Sequence, residues 1–523
     1  PAFQDVIELF ALQFRHIEPA QPVYSKFRGP TEPRPLTPRI TPLALSMAGQ
    51  IPASLMAELH AQALDDPQLP RPHPTTSFWQ LPPHPTLSDV QSATLPDTTD
   101  YAIIGSGVTG CSIAKTLLDH PSPSPSAASS VAVFEARTLT SGATGRNGGL
   151  LTTFVPGDYK LLSDRFGHEQ AVKIARFANR TLEKMHELGN SSAELKEASE
   201  VRRLLNVISY RDERAFSKAQ ESWRLYLEHV PEDRGKAKIL CAEEAELKYN
   251  VRAKAGTIVF KNGAFWPYRL ITRVWAQLYA KYRSRLSIET NTPVTSITHD
   301  PRTNSTHPYI LHTPRGIVRA SRIIHATNGY TGHLLPELRG KIYPLRGTVS
   351  TQKAPPEFGR HGHEVSWSFV SSGGFDSATN TLELGLYYSN QNPKTGDIFV
   401  GGEKAALSEI LVSDDSQIGK PCVENISTVL PRHFTRGWEE GESPEVRKVW
   451  SGIMGFTADR LPLVGRLPQS VSRRGEEGGE WIAAGFNGYG MPLCWSSGEA
   501  VAKMLLGVDV SDFLPDVFLA TKE

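Results

Sequence analysis

Residues 101–118 read YAIIGSGVTGCSIAKTLL, an apolar run, a glycine turn and a second apolar segment of helical period in direct succession. Residues 101–104 are expected to form a buried strand, and the segment from Val108 and Thr109 onward a helix. Between them Gly105, Gly107 and Gly110 make a G-x-G-x-x-G pattern with Ser106 inside the turn. In such a unit the first glycine makes the tight turn, the second lets backbone approach a pyrophosphate, and the third lets helix and strand pack closely. The helix N-terminus then faces the phosphates. A purely structural turn is the alternative. Against it stands VAVFEAR at 131–137, a second strand ending on Glu135, twenty-five residues beyond Gly110. That spacing is close to the roughly 20 residues usual for a ribose-binding acid once the surface loop PSPSPSAASS at 121–130 is allowed for. Glu135 would accept hydrogen bonds from ribose hydroxyls and disfavour a 2′-phosphate.

Beyond Glu135, Ala136 and Arg137 lies SGATGRNGG at 141–149, with four glycines around one arginine and one asparagine. A nicotinamide enzyme ordinarily continues into another helix here. This loop instead fits FAD: its glycines give backbone N–H groups access to a flat ligand, and Arg146 and Asn147 add donors for the flavin or its phosphates. A glycine-rich surface loop is the alternative. The C-terminal region repeats the arrangement, with a strand WIAAGF at 481–486, a turn NGYGMP at 487–492 and a helix over 493–507. Gly488 and Gly490 would aim amides and the positive helix end at the anionic edge of a reduced flavin.

Composition narrows the partners. The charges nearly cancel, 56 basic against 55 acidic residues for a net +1, so the totals show no electrostatic footprint for nucleic acid or an anionic membrane. No apolar run of 18 residues and no basic-then-apolar leader is present, which leads us to expect a soluble, cytoplasmic protein. The sequence begins at Pro1, so a trimmed leader stays open. Cys111, Cys241, Cys422 and Cys494 lie far apart without CxxC spacing, and neither a metal site nor a disulfide framework is expected. Of the 39 prolines, 17 fall in the first 100 residues, which marks 1–99 as a Pro-rich extension. Within it FQDVIELFALQF and ASLMAELHAQAL are amphipathic pieces able to dock on the main body, with Phe78 and Trp79 as packing anchors.

The ordered set GSGVTG, Glu135, GATGRNGG, GAFWPYRL, TPVTSI, IIHATNGY, PLRG, DRLPLVG and GFNGYG resembles the FAD-dependent oxidoreductases of the D-amino-acid oxidase family, which includes glycine and sarcosine oxidases. It is most similar to their γ-glutamylputrescine oxidase-like branch, over roughly residues 100–510. The resemblance implies a Rossmann-like α/β FAD-binding domain with an inserted antiparallel-sheet substrate domain of α+β type. It places Gly105, Ser106, Gly107, Val108, Thr109, Gly110, Glu135, Ala136, Arg137, Ser141, Gly142, Ala143, Thr144, Arg146, Asn147, Gly148 and Gly149 at the cofactor. Val294, in a TPVTSI strand, would touch its adenine side, and Gly452, Asn487, Gly488, Tyr489, Gly490 and Met491 would surround the flavin ring.

Sarcosine oxidases attach flavin through a cysteine in the segment matching 451–459, and other members through a histidine after the second strand; neither residue is present, so non-covalent FAD is expected. Where sarcosine-oxidase-type enzymes carry an oxygen-activating lysine, GDIFVGGE offers Phe399, which leaves O2 or another acceptor open. The implied reaction is hydride transfer from the α-carbon of a small amine or amino acid to flavin N5, followed by imine hydrolysis. A flavin hydroxylase and a redox-silent FAD-binding protein are the other readings, the former disfavoured by GF in place of GD at Gly485. Candidate active-site residues are Arg146, Asn147, Tyr387, Tyr388 and Arg346. The neighbours Tyr387 and Tyr388 point to opposite faces of a strand, so at most one lines the pocket. Arg346 and Arg460 are candidates for a substrate carboxylate or for the cofactor. His325 and His333 are expected to be structural. The FAD-binding domain is expected from 100–160, 265–345 and 446–523, and the substrate domain from 161–264 and 346–445.

Overall fold

The computed structural model describes residues 51–121, 128–300, 306–439, 441–475 and 478–522. The expected helix FQDVIELFALQF, and the core of the PSPSPSAASS loop at 122–127, lie outside them. Among the described residues the strands form two sheets. In the first, Thr98–Ile104 lies between Gly316–His325 and Val131–Phe134, flanked by Glu480–Ala484 on one side and Leu286–Glu289 on the other, all parallel. Leu463–Arg466 closes one edge antiparallel. Ala102, Ile103 and Ile104 are buried, as a parallel sheet covered on both faces requires. The helix Val108–Asp119 follows the first strand and buries Cys111, Ile113, Ala114, Leu117 and Leu118.

The second sheet runs Val446–Thr457, Ile342–Gln352, Ile398–Ala406, Thr381–Gln391, Val365–Val370, Arg202–Tyr210, Gly256–Ala264 and Leu150–Leu151. It departs from the all-antiparallel expectation at one place, where Val365–Val370 and Arg202–Tyr210 pair in parallel. These strands come from two separate insertions, and the long connection between them permits parallel pairing. The strand Val446–Thr457, expected among the FAD-binding pieces, pairs along its length with Ile342–Gln352 in this second sheet. The long helix Val155–Asn190 breaks at Gly167 (φ 82°) and packs on Glu213–His229, whose N-cap Asp212 accepts the Ala215 N–H at 2.7 Å.

From residue 51 onward the Pro-rich segment packs against the body. The helix Ala53–Leu64 buries Met56, Leu59 and Ala63 against Tyr343, Leu345 and Leu411. Further on, Trp79 is 3% exposed in an aromatic cluster with Trp266, Tyr268, Phe399 and Trp450. No helix among the described residues is long and apolar enough to cross a membrane.

Candidate cofactor and active site

The parallel sheet ends where the glycine turn begins. Gly105 has φ +110°, a conformation suited to glycine, and a Cβ there would lie 2.5 Å from the Ala326 carbonyl oxygen. A Cβ at Gly110 would lie 2.0 Å from the Gly105 carbonyl oxygen, the close packing foreseen for the third glycine. At Gly107 it would stand 2.9 Å from Thr144 Oγ1, the oxygen that accepts the Val108 N–H at 3.0 Å. Loop 141–149 is therefore docked on the N-terminus of the helix Val108–Asp119. Glu135 Oε2 accepts from the N–H and Oγ of Ser106 at 3.1 and 2.7 Å, and Oε1 accepts the Arg137 N–H at 3.1 Å. A carboxylate so used has lone pairs to spare. Gly105, Gly107, Ala136, Gly142 and Ala143 keep partial exposure among buried neighbours at this end of the sheet.

The second glycine turn meets the first. Ser112 Oγ donates to the Trp495 carbonyl at 2.6 Å, and a Cβ at Gly498 would lie 2.6 Å from the Thr109 carbonyl oxygen. The N-terminal turns of Val108–Asp119 and Cys494–Leu505 thus lie side by side, and two positive helix ends share one crevice. Asn487 holds the second turn in the left-handed region (φ 53°), its Oδ1 accepting the Thr457 N–H at 2.9 Å and its Nδ2 donating to the Gly485 carbonyl at 2.7 Å. Gly488 follows with φ 76°, Tyr489 leans on Phe154 at 4.7 Å, a Cβ on Gly490 would lie 3.1 Å from Cys494 Sγ, and Met491 packs on the core. Val294 is buried with Ile104 and Phe134; the expected TPVTSI strand begins only at Ser296.

The glycines of loop 141–149 are also hemmed in by the protein itself. A Cβ on Gly142 would meet open space, as ligand access requires. On Gly145 it would lie 2.6 Å from the Thr140 carbonyl oxygen and 2.9 Å from Gln80 Nε2, on Gly148 2.3 Å from the Tyr388 ring, and on Gly149 2.8 Å from the Trp79 ring. Gly148 and Gly149 therefore make room for protein side chains, and Gly145 for the Thr140 carbonyl and Gln80 together. Those side chains, with others, occupy the loop's carbonyls: Gln80 Nε2 donates to Ser141 and Gly145 at 3.1 Å each, Trp450 Nε1 to Arg146 at 2.8 Å, Trp79 Nε1 to Asn147, and Asn390 Nδ2 to Gly148 at 2.6 Å. Asn390→Ala is expected to cost about 1–2 kcal/mol, read as a shift of the denaturation midpoint.

Arg146 and Asn147 turn inward. Arg146 donates from Nε to the Ser141 carbonyl (3.0 Å), from Nη1 to the Ser451 carbonyl (2.6 Å) and Thr75 Oγ1 (3.2 Å), and from Nη2 to the Thr75 carbonyl (2.6 Å). Burial lowers its pKa to about 10, opposed by Asp415 at 3.5 Å, which also pairs with Arg137 at 2.9 Å. A guanidinium this deep must be paired, and protein atoms do the pairing. Asn147 Nδ2 donates to the Ala143 and Thr144 carbonyls and its Oδ1 accepts the Gly149 N–H, a clasp internal to the loop. Gly452 lies beneath Arg146, where its Cβ would come within 3.1 Å of the arginine Cβ.

Of the tyrosine pair, Tyr387 belongs to the outer core, donating to Glu383 at 2.7 Å and accepting from Asn425 at 2.8 Å. Tyr388 lies between Gly148 and Gly401, so it is the one facing the loop. Arg346 pairs with Glu409 at 3.0 Å and the Asp414 carbonyl at 3.3 Å, and Arg460 with Asp158 at 3.0 Å. Both side chains already have partners. His325 bonds Glu480 at 2.8 Å and His333 bonds Asp66 at 3.1 Å, the structural roles expected of them. Trp266 and Trp450 are core, and Tyr330 donates to the Ser413 carbonyl at 3.3 Å. No cluster of metal-ligating residues occurs among the described residues.

The sequence reading passed over Thr75, Gln80, Asp415 and Glu403, because no local pattern marks them. Glu403 is buried near Tyr388 and accepts from the Thr348 N–H (2.8 Å), Thr348 Oγ1 (3.3 Å) and Cys422 Sγ (2.8 Å). Burial pushes its pKa up to about 7. A carboxyl raised in the folded state lends stability that is full below its unfolded pKa and is lost as pH rises through the folded one. Wild type should therefore fall behind Glu403→Gln as pH climbs from about 4.5 to above 7, by about 3 kcal/mol at the top. Urea titrations of both proteins across that range check it, and parallel curves would refute it.

FAD fits this crevice. Ser141 Oγ and Arg137 Nε are buried there without hydrogen-bond partners among the described residues, as a site built for a polar ligand leaves them. A family model described as FAD dependent oxidoreductase matches residues 100–504, and the chain belongs to that family. The Probable oxidoreductase OrdL of Rhizobium meliloti (strain 1021) is 23% identical over 198 residues, 38% of this chain and 39% of the relative. The chain thus spans about two fifths of the length of the curated relative it matches. Among solved structures, glycine oxidase from Geobacillus kaustophilus superposes with a TM-score of 0.59 at 19% identity, covering 82% of this chain and all of that one. L-proline dehydrogenase from P. horikoshii gives 0.56 at 16%, covering 82% and 98%. Iminodiacetate oxidase from Chelativorans sp. BNC1 gives 0.55 at 15%, covering 79% and 98%. These likenesses show the fold: a mixed α/β FAD-binding architecture.

Proposed function

We propose that the chain binds FAD non-covalently and oxidises a C–N bond of a small amine or amino acid. The observation that carries this reading is the crevice where two helix N-termini, the Gly105–Gly110 turn and Glu135 meet loop 141–149 below Tyr388. The pyrophosphate would lie along Gly105, Ser106, Gly107, Val108, Thr109 and Gly110. The ribose would reach Glu135, Ala136 and Arg137, and the adenine the side of Val294. The ring would sit among Ser141–Gly149, Gly452 and the 487–491 turn. The discontinuous division into an FAD lobe and a substrate lobe accompanies this reading, with Val446–Thr457 carried by the second sheet.

FAD, when bound, supplies the hydride acceptor for the substrate α-carbon. The chain's own part is orientation and exclusion of water. Tyr388, fixed between Gly148 and Gly401, would form the wall against which the neutral amine lies. Water then hydrolyses the resulting imine. Support for this chemistry comes from fold neighbours named for oxidation of glycine, iminodiacetate and L-proline. One neighbour is named a dehydrogenase and others oxidases, and either O2 or another acceptor suits the site. Cys494 and Cys111 lie beside the two turns, but burial pushes the Cys494 thiol up to about 12 and the Cys111 thiol higher too, so neither offers a thiolate to bond flavin. Four free thiols fit a reducing, cytoplasmic setting.

The purified protein should be yellow and bleach anaerobically with a suitable amine. Turnover that needs NADPH would point to a hydroxylase, and a flavin no donor reduces would mean a redox-silent protein. Acid precipitation should release all the flavin; colour left in the washed pellet would overturn non-covalent attachment.

A further inference from the structure

We propose that residues 71–80, which precede the family-matched region, are a working part of the cofactor site: a strap whose Thr75, Trp79 and Gln80 are positioning residues that hold loop 141–149 in its FAD-binding shape. The inference rests on the reading of the crevice as an FAD site.

Each of the three grips the loop by a separate bond. Gln80 Nε2 bridges the Ser141 and Gly145 carbonyls at 3.1 Å each, and the Trp79 indole donates to the Asn147 carbonyl. Thr75 accepts Arg146 through both Oγ1 (3.2 Å) and its carbonyl (2.6 Å). The fit is reciprocal at Gly149, where a side chain would collide with the Trp79 ring at 2.8 Å; at Gly145 it would meet the adjoining Thr140 carbonyl at 2.6 Å as well as Gln80 at 2.9 Å.

The strap is anchored on its far side. Trp79 stacks on Phe399 with ring centres 4.1 Å apart, and its carbonyl accepts Trp266 Nε1 at 2.6 Å. The Thr75 N–H donates to the Asp415 carbonyl at 2.8 Å, the His84 N–H to Tyr268 Oη at 3.1 Å, and Ser77 Oγ caps the short turn Phe78–Gln80. A loop with four glycines loses more backbone entropy on ordering than an ordinary one. The strap's bonds add to the loop's internal Asn147 clasp, and a loop already fixed spares FAD the cost of ordering it.

The test uses the full chain, with Gln80→Ala, Trp79→Phe and Trp79→Ala as strap variants. Leu59→Ala is the control, because it empties a buried position in the same N-terminal segment but packs on Tyr343 and Leu411. Apoprotein is titrated with FAD, and the visible spectrum of bound flavin and the Tm are recorded. Gln80→Ala and Trp79→Ala should raise the FAD dissociation constant at least tenfold and shift the flavin bands. Trp79→Phe, which keeps a ring and loses the donor, should fall between them and wild type. Leu59→Ala should lower Tm with the dissociation constant within twofold. The proposal is overturned if the strap variants bind FAD within twofold of wild type, or if Leu59→Ala weakens FAD as much as they do. A wild-type apoprotein that takes up no FAD would overturn the site reading itself, and the strap's role with it. Gln80→Ala removes no buried apolar bulk, so it decides the matter even if Trp79→Ala does not fold.

Discussion

Gly107→Val should purify without colour, its affinity for FAD lower by at least about 100-fold, or roughly 2.7 kcal/mol. The first added carbon would already stand 2.9 Å from Thr144 Oγ1, and valine adds two more at the mouth of the helix Val108–Asp119. Thr144 cannot retreat freely, because its hydroxyl accepts the Val108 N–H and so ties loop 141–149 to that helix. The substitution thus blocks the approach to the helix N-terminus and pries the loop from it. Overpacking of this kind also costs about 1–3 kcal/mol of stability. Flavin content per folded chain, with circular dichroism as the check on folding, measures the effect. A yellow Gly107→Val protein with normal flavin content would sink the assignment of this turn to the cofactor.

Arg146→Ala is expected to destabilise the protein by about 3–5 kcal/mol, the scale for breaking a buried ion pair. It leaves Asp415 with Arg137 as its remaining close cation, and strips donors from the Thr75, Ser141 and Ser451 carbonyls. From the sequence this arginine is expected to donate to the flavin or its phosphates. Its hydrogen bonds place the main effect elsewhere: the loop should loosen and FAD be lost before any change in midpoint potential dominates. Arg146→Lys keeps the charge but not the planar fork, and should recover only part of the stability. Urea denaturation, an FAD titration and a redox titration on the three proteins separate the cases. An unchanged denaturation midpoint with a lowered potential would make Arg146 a tuner of the flavin's potential instead.

The elements legible in the chain were those built from neighbours in sequence. The Gly105–Gly110 turn, the strand before it, the helix after it and Glu135 at the next strand end all follow from periodicity and spacing, because strand and helix are short-range patterns and their glycines answer to steric limits within the same turn. The alternation of a strand also showed that Tyr387 and Tyr388 face opposite ways. Which of them faces the loop was settled by pairing with Ile398–Ala406, whose Gly401 leaves room for the Tyr388 ring. Arg146 read as a cofactor donor because its partners Thr75 and Ser451 lie 71 and 305 residues away. The Pro-rich segment read as an extension because prolines exclude long helices and central strands, while its bonds to loop 141–149 belong to side chains of no repeating pattern. Local backbone preferences set the turn and its flanking elements; the identity of the rings that pack against Gly148 and Gly149 of loop 141–149 came from long-range packing, which sequence spacing does not encode.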